Sequence, residues 1–486
     1  EITPHPRAVE DIEGFCSKVR CGFEKLSNHN ASCPHIVIQE DKLFLKRAWT
    51  LCQEIERHFN RLQKAELQVP IDIEKAKALI EHHVSTGSLF QEQAQAVLEA
   101  IQKPLFCIWG GPGTGKTHTA GIFLKLLMET AMPLRVCFAA PTGKATNNLA
   151  KSVQRACGSK ALQVDIKTLH SLLQIRQPGR SKGKETNSLL PYSLMVVDES
   201  SMIDASLCAK LLSRLADGSR LLLLGDPAQL RPVEPGCPFS SFVEQQGTAS
   251  GRLHTSRRTE LKAILELAAL VNEGKEDEAM DFLTKHQTTP TIDGVTFRQF
   301  DESAFTFRLS EYTAALYKEF KATSSYEEQF SQLLRRQILS PLRVGAFGTQ
   351  SINERMRKEA AAYAHGRSMF CFEPIVITKN DYQLSLSNGQ IGLATKDDKV
   401  IFESSDPLAP HPRAIPRVLL SSYEQAYCLS VHKSQGSEFD SVLLILPPGS
   451  EAFGRKMLYT AITRARKEIE IWSTEEVIRA CVRENF

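Results

Sequence analysis

The sequence predicts an α/β protein with parallel sheets built around a phosphate-binding loop. Three observations predict it. Residues 110–117 read Gly-Gly-Pro-Gly-Thr-Gly-Lys-Thr, which fits G-x-x-x-x-G-K-[ST] at every required position. An apolar run at 105–109 precedes the octet and helical periodicity over 120–128 follows it, so the motif sits in the strand–loop–helix context it needs. From Leu89 onward, short apolar runs alternate with helical stretches, the pattern of a parallel sheet covered on both faces.

The individual elements follow in order. Residues 1–88 read as a helical module, with apolar residues at helical spacing over 8–23 and 43–67 and a connection at 82–88. Strands are expected at 105–109, 135–139, 194–197 and 220–224. Each is followed by Gly-, Asp- or otherwise polar-rich residues, where an open α/β sheet places its ligands. These belong to a first domain, 89–235. A turn-rich segment with Pro-Gly and four basic residues at 174–188 reads as an exposed hairpin or loop inserted near 172–191. A second α/β domain covers 236–350 and 422–486, with helices at 260–272 and 310–321 and a strand at 337–342. Between its halves, 351–421 has short strands (374–378, 418–420), many turns and four late prolines, and reads as a small β-rich insertion.

Composition narrows the classes. The net charge of +3 gives no global field, although a long chain can gather its basic residues in one groove. No apolar run approaches the roughly 20 residues of a membrane-spanning helix, and the polar, proline-broken start is unlike a signal peptide. No membrane partner is expected. Twelve scattered cysteines, several in expected buried strands, suit a reducing cytoplasm better than a disulfide framework. Cys16, Cys21, Cys33, His29 and His35 lack the tight paired spacing of a metal site and read as structural.

The chemistry follows from the loop. Glycines let the backbone wrap an anion with its N–H groups, and the helix N-terminus adds partial positive charge. Gly110, Gly111, Pro112, Gly113, Thr114 and Gly115 would form the cradle. Lys116 would reach the β- and γ-phosphates and Thr117 would hold Mg²⁺ through its hydroxyl, so ATP and Mg²⁺ are the expected cofactors. A second apolar strand ends in Asp198-Glu199, suited to a metal-bound carboxylate and a base for the attacking water. Gln229, in Gly-Asp-Pro-Ala-Gln-Leu, stands where it can sense the γ-phosphate. Arg464 and Arg466 are both candidates for an arginine that neutralises charge on the transferred phosphoryl group.

Eight motifs in order carry a resemblance. They are Leu89-x-x-x-Gln93, the octet, Ala-Pro-Thr-Gly-Lys-Ala at 140–145, Thr168-x-His170, VVDESSM, GDPAQL, VHKSQGSEFD and LYTAITRAR. Over 89–474 the chain resembles the RecD family, the α subunit of exodeoxyribonuclease V, within the superfamily 1 helicases of the 5′→3′ class. The resemblance implies two RecA-like domains with ATP between them, a pin-like hairpin near 174–188 and an SH3-like fold for 351–421. It implies that Gln93 contacts adenine and Glu438 the ribose. Asp198 and Glu199 become the metal and general-base pair, Gln229 the γ-phosphate sensor, Arg464 the finger and Arg258 a second phosphate-contacting arginine. The family usually has an aromatic residue where Arg257 stands. Thr142, Lys144, Thr168, His170, His432 and Ser434 would line a single-strand track.

The resemblance implies a motor acting on single-stranded and duplex DNA inside a heterotrimer with RecB-like and RecC-like subunits. Two alternatives stay open: a stand-alone helicase of the same family, and an ATP-dependent regulatory switch that moves no DNA. No acidic-plus-lysine cluster outside the ATPase acids suggests a nuclease centre in this chain.

Overall fold

The computed structural model describes residues 36–39, 42–130, 134–158, 164–175, 188–245, 249–256, 262–287, 294–321, 323, 325–364, 373–381, 383–403 and 412–484. The chain divides into two compact units, 1–60 and 61–486. In the first, β1 (Ile36–Gln39) and β2 (Lys42–Leu45) pair antiparallel, with Ile36 opposite Leu45. The helix expected from 43 begins only after this hairpin, as Lys46–Lys64. The helix expected over 8–23, and the Cys16–His35 group, lie outside the described residues.

The second unit opens with the helix Ile73–Ser85, whose first turn is capped by Asp72 accepting from the Lys75 N–H at 3.0 Å. The connection expected at 82–88 is helical as far as Ser85. Ala76 and Ile80, one turn apart, pack into the core of the first sheet, so the helix belongs to the domain that follows it.

That sheet holds β3 (Leu105–Gly110), β4 (Val136–Ala140), β5 (Val164–Thr168), β6 (Leu194–Val197), β7 (Arg220–Gly225) and β8 (Ser250–Leu253), in the order β5-β4-β6-β7-β3-β8. Every pairing is parallel. β3, β4, β6 and β7 are apolar runs buried almost throughout, because parallel strands are covered on both faces. Helices Lys116–Thr130 and Gly143–Cys157 pack side by side next to it.

The next strands in the chain are β9 (Val295–Gln299) and β10 (Arg336–Ser340). An antiparallel sheet follows: β11 (Glu373–Ile377), β12 (Ile391–Ala394), β13 (Lys399–Phe402), β14 (Arg413–Pro416) and β15 (Tyr423–Gln425), ordered β14-β13-β12-β11-β15. Then β16 (Cys428–Ser430), β17 (Phe439–Leu446) and β18 (Ala465–Ser473) join the earlier pair in a parallel sheet, β16-β10-β17-β18-β9.

The insertion expected over 351–421 is displaced at both ends. Its start is the helix Thr349–Ala364, which buries Ile352, Met356 and Ala360 in the core of the second parallel sheet. The Asn353 amide donates to the carbonyls of Gln425 (3.1 Å) and Cys428 (2.9 Å) and accepts from the Cys428 N–H (2.8 Å). That helix is thus tied to the chain where it leaves the antiparallel sheet. The sheet itself closes with β15, beyond 421. The strand expected at 418–420 is a single tight turn, Arg417–Leu419. Arg417 is held there by both carboxylate oxygens of Glu373 (2.8 and 3.0 Å) and by the Tyr423 hydroxyl (2.9 Å), which leaves Val418 exposed and without a pairing strand. The helix expected at 310–321 extends back to Glu302.

The topology positions the chemistry. The P-loop, Thr142, Thr168, Asp198 and Asp226 lie at the carboxyl ends of β3, β4, β5, β6 and β7. Glu438 and Arg464 immediately precede β17 and β18, at the amino edge of the second sheet.

Candidate active site

The P-loop runs from β3 into the helix Lys116–Thr130. Two of its glycines are required by their neighbours. A Cβ on Gly115, which has φ +79°, would stand 2.7 Å from Gln93 Nε2, and one on Gly110 would stand 2.4 Å from the Leu253 carbonyl oxygen. The Lys116 ammonium donates to the carbonyls of Gly110 (2.8 Å) and Gly111 (2.9 Å). The Thr114 hydroxyl donates to the Gly111 carbonyl at 2.9 Å and braces the turn from inside.

Thr117 and Asp198 come together across the sheet, with the Thr117 hydroxyl donating to Asp198 Oδ2 at 2.9 Å. The other Asp198 oxygen accepts the Glu199 N–H at 2.8 Å. Glu199 has left-handed backbone angles, φ +53° and ψ +40°. A non-glycine residue there carries strain of order 1–3 kcal/mol, tolerated where the surroundings over-determine the geometry. Burial pushes Asp198 up, against the pull of the Glu199 N–H and the Thr117 hydroxyl. Burial first, and then the Asp198 charge, push Glu199 up to about 7, while Arg464 and Lys116 pull it back.

These groups line a cavity of about 800 Å³ between the two parallel sheets, with Gln229, Lys144, Glu438, Arg464 and Arg466 on its other walls. Gln229 is buried; its Nε2 reaches Asp226 Oδ2 at 3.4 Å, and its carbonyl oxygen has no partner among the described residues. Arg464 is buried too. Its guanidinium donates to the carbonyls of Thr460 (3.1 Å) and Ser437 (3.0 Å) and reaches the Thr463 hydroxyl at 3.4 Å. Burial drives Lys144 down to about 8, opposed by Glu403 and reinforced by Arg466 and Arg464. The Lys144 ammonium also stands 5.1 Å from the centre of the Phe439 ring.

Residues 88–293 match the AAA domain family, and 425–470 match the UvrD-like helicase C-terminal domain. The RecBCD enzyme subunit RecD of Mycolicibacterium smegmatis is 31% identical over 420 residues, covering 82% of this chain and 73% of that protein. The chain belongs to the RecD family. The RecD subunit of Haemophilus influenzae is 26% identical and covers 94% of this chain and 82% of its own. The ATP-dependent RecD2 DNA helicase of Deinococcus radiodurans is 27% identical, covering 78% of this chain and 48% of its own.

Other residues singled out by the RecD resemblance fall in different places. Gln93 is fully buried, with Nε2 donating to the Thr114 carbonyl (2.8 Å) and Oε1 accepting from the Phe90 N–H (3.0 Å). It braces the P-loop from beneath and does not face the open cavity. Its neighbour Glu92 accepts the backbone N–H groups of His254 (2.9 Å) and Thr255 (2.7 Å) and so fixes the chain entering the Arg257-Arg258 pair. Both arginines lie outside the described residues. Glu438 pairs with Arg466 at 3.0 Å at the cavity wall.

The expected single-strand track is only partly surface. Lys144 belongs to the cavity wall. Thr142 and Thr168 are helix N-caps, accepting from Ala145 N (3.3 Å) and Ser171 N (3.2 Å). His170 is exposed, and His432 is half-buried with its ring 6.5 Å from that of Phe453. Ser434 lies deeper. It has no exposure, and its hydroxyl donates to the Val431 carbonyl at 2.7 Å, so it holds its own turn and reaches nothing outside. The hairpin expected at 174–188 lies almost wholly outside the described residues.

Sequence reading missed Asp226 and Tyr459. Asp226 stands in GDPAQL only as a turn residue and Tyr459 in LYTAITRAR with no role of its own; no spacing signal links positions so far apart in the chain. The structure joins them, with the Tyr459 hydroxyl 2.9 Å from Asp226 Oδ2.

Proposed function

We propose that this RecD-family chain is an ATP-hydrolysing 5′→3′ DNA helicase. In this reading it is the motor subunit of a RecBCD-type helicase–nuclease complex that processes broken DNA ends for repair by recombination in the bacterial cytoplasm. The observation that carries it is the single cavity holding Lys116, Thr117, Asp198, Glu199, Gln229 and Arg464, contributed from both parallel sheets. The relatives named as RecBCD subunits support the assignment to a complex, and the relative named as a RecD2 helicase supports the activity.

The chain's own residues divide the work. Lys116 would exchange its two loop carbonyls for β- and γ-phosphate oxygens. Glu199, once ionised, would take the proton of the attacking water. Arg464 would turn from the carbonyls of its own domain toward the γ-phosphate as the cleft closes. Thr117 and Asp198 fit Mg²⁺: both offer hard oxygen donors, they stand 2.9 Å apart, and burial still holds the Asp198 carboxyl above its ordinary value despite Lys116 nearby, so a bound cation would offset that burial. When bound, the ion would neutralise charge on the phosphate oxygens. Because the groups sit on two sheets, turnover requires closure, and cycles of closure and opening would move DNA-gripping surfaces past one another.

The test is strand separation by the purified chain with ATP and Mg²⁺, on duplexes carrying a 5′ or a 3′ single-stranded tail. Unwinding from the 5′ tail alone is the expected result. DNA-stimulated ATP hydrolysis without unwinding would indicate that partner subunits are needed. Bound ATP with neither activity would overturn the motor in favour of a switch.

Glu199 also predicts a pH dependence. The base acts only when ionised, and its pKa is raised to about 7. kcat/KM for ATP is therefore expected to fall about tenfold per pH unit below 7 and to level off above it. A flat profile from pH 6 to 8 at saturating Mg²⁺ would refute this role for burial.

A further inference from the structure

The segment carrying Gln229, at the carboxyl edge of the first sheet, meets the second domain largely through one helix. The helix Gly454–Ile462 ends two residues before Arg464, and two of its side chains reach the segment carrying Gln229. The Thr460 hydroxyl accepts the Leu230 N–H at 2.8 Å. The Tyr459 hydroxyl donates to Asp226 Oδ2 at 2.9 Å, in a buried position. Gln435 completes the contact by donating to the Leu230 carbonyl at 3.3 Å.

Asp226 is the centre of the arrangement. Its Oδ1 accepts the Ala228 N–H at 3.0 Å, its main-chain carbonyl accepts the Gln229 N–H at 3.2 Å, and its Oδ2 receives both Tyr459 and the Gln229 side-chain amide. A carboxylate oxygen takes only N–H or O–H, so this contact fixes which way the Gln229 amide faces. The nitrogen is held on Asp226, and the carbonyl oxygen is left buried and without a partner among the described residues, on a side chain that lines the cavity. An orphaned acceptor of this kind costs free energy unless a donor arrives there, and an attacking water is such a donor. Tyr459 also stands over the phosphate loop, 3.3 Å from where a Cβ on Gly111 would lie.

We propose that Tyr459 is a positioning residue for ATP hydrolysis: through Asp226 it sets the Gln229 carbonyl oxygen toward the attacking water, and only while the second domain is docked on the first. The proposal rests on the ATPase reading above. It makes the hydroxyl of Tyr459, separately from the arginine five residues later, a means by which closure is felt at the γ-phosphate.

The test is a double-mutant cycle on the full chain, using Tyr459→Phe, Gln229→Ala and the pair, with DNA-stimulated ATP turnover as readout. Tyr459→Phe keeps the ring that packs in the core and removes only the hydroxyl. The expected result is a fall in kcat of about tenfold, equivalent to about 1.4 kcal/mol, with KM for ATP changed less than twofold and the unfolding midpoint nearly unchanged. In the Gln229→Ala background the same substitution should have no further effect. An unchanged kcat, a change confined to KM, or an equal fall in both backgrounds would overturn the proposal while leaving the ATPase assignment intact. A wild-type chain that binds ATP and never hydrolyses it, even with DNA, would overturn both.

Discussion

Replacing Glu199 with Gln is expected to lower kcat for ATP hydrolysis by ~10²–10⁴-fold while ATP still binds. The amide keeps the size of the carboxylate but cannot take a proton from water. Steady-state turnover and equilibrium binding of a fluorescent ATP analogue check the two halves separately. Retention of more than a tenth of wild-type kcat, or loss of binding, would remove Glu199 from the role of base. The same variant makes a stability prediction of definite sign. The folded pKa of Glu199 lies above the ordinary carboxylate value, so ionisation opposes the folded state. That penalty grows as pH rises from the unfolded value toward 7 and is constant above it. Glu199→Gln should therefore unfold at a higher temperature than the wild type at pH 8, with the difference shrinking toward pH 4.

Lys116→Ala is expected to reduce kcat/KM by at least ~10²–10³-fold and to abolish unwinding from either tail, since an ammonium aimed at developing phosphate charge is among the largest single electrostatic contributions to such a site. The fold should survive, because among the described residues the side chain makes two hydrogen bonds, both to loop carbonyls. Circular dichroism of the variant separates this from collapse. A variant that still hydrolyses ATP within tenfold of the wild type would show that the loop's backbone N–H groups hold the phosphates unaided.

The two parallel domains were legible because their signal is local. β6 coincides with the run expected at 194–197, and β3, β4 and β7 differ from expectation by a residue at one or both ends. Buried parallel strands are unbroken apolar runs, and the phosphate loop has a fixed spacing in the chain. The helix Thr349–Ala364 was hidden by the turn-rich stretch after it, although its alanine-rich end is helix-favouring. The short strand at 418–420 looked plausible from Val418 and Leu419 alone. What turns the chain there is the ion pair of Arg417 with Glu373, 44 residues away in the sequence and absent from any local pattern.

The sequence by itself determined the chemistry: a loop for phosphates, a hydroxyl and a carboxylate suited to a hard cation, a base beside them, and an arginine far along the chain. Each rests on residue type and spacing, which a linear chain displays. Tertiary structure decided which residues share a cavity and which support it from behind. Gln93 and Ser434 match their motifs as well as Lys116 does, yet both are fully buried and spend their side-chain polar groups on the backbone. Lys144, expected on the DNA track, lines the same cavity as Lys116, and Tyr459 meets Asp226. Burial and cross-domain contact depend on how two sheets are set edge to edge, so neither is encoded in the spacing of any single motif.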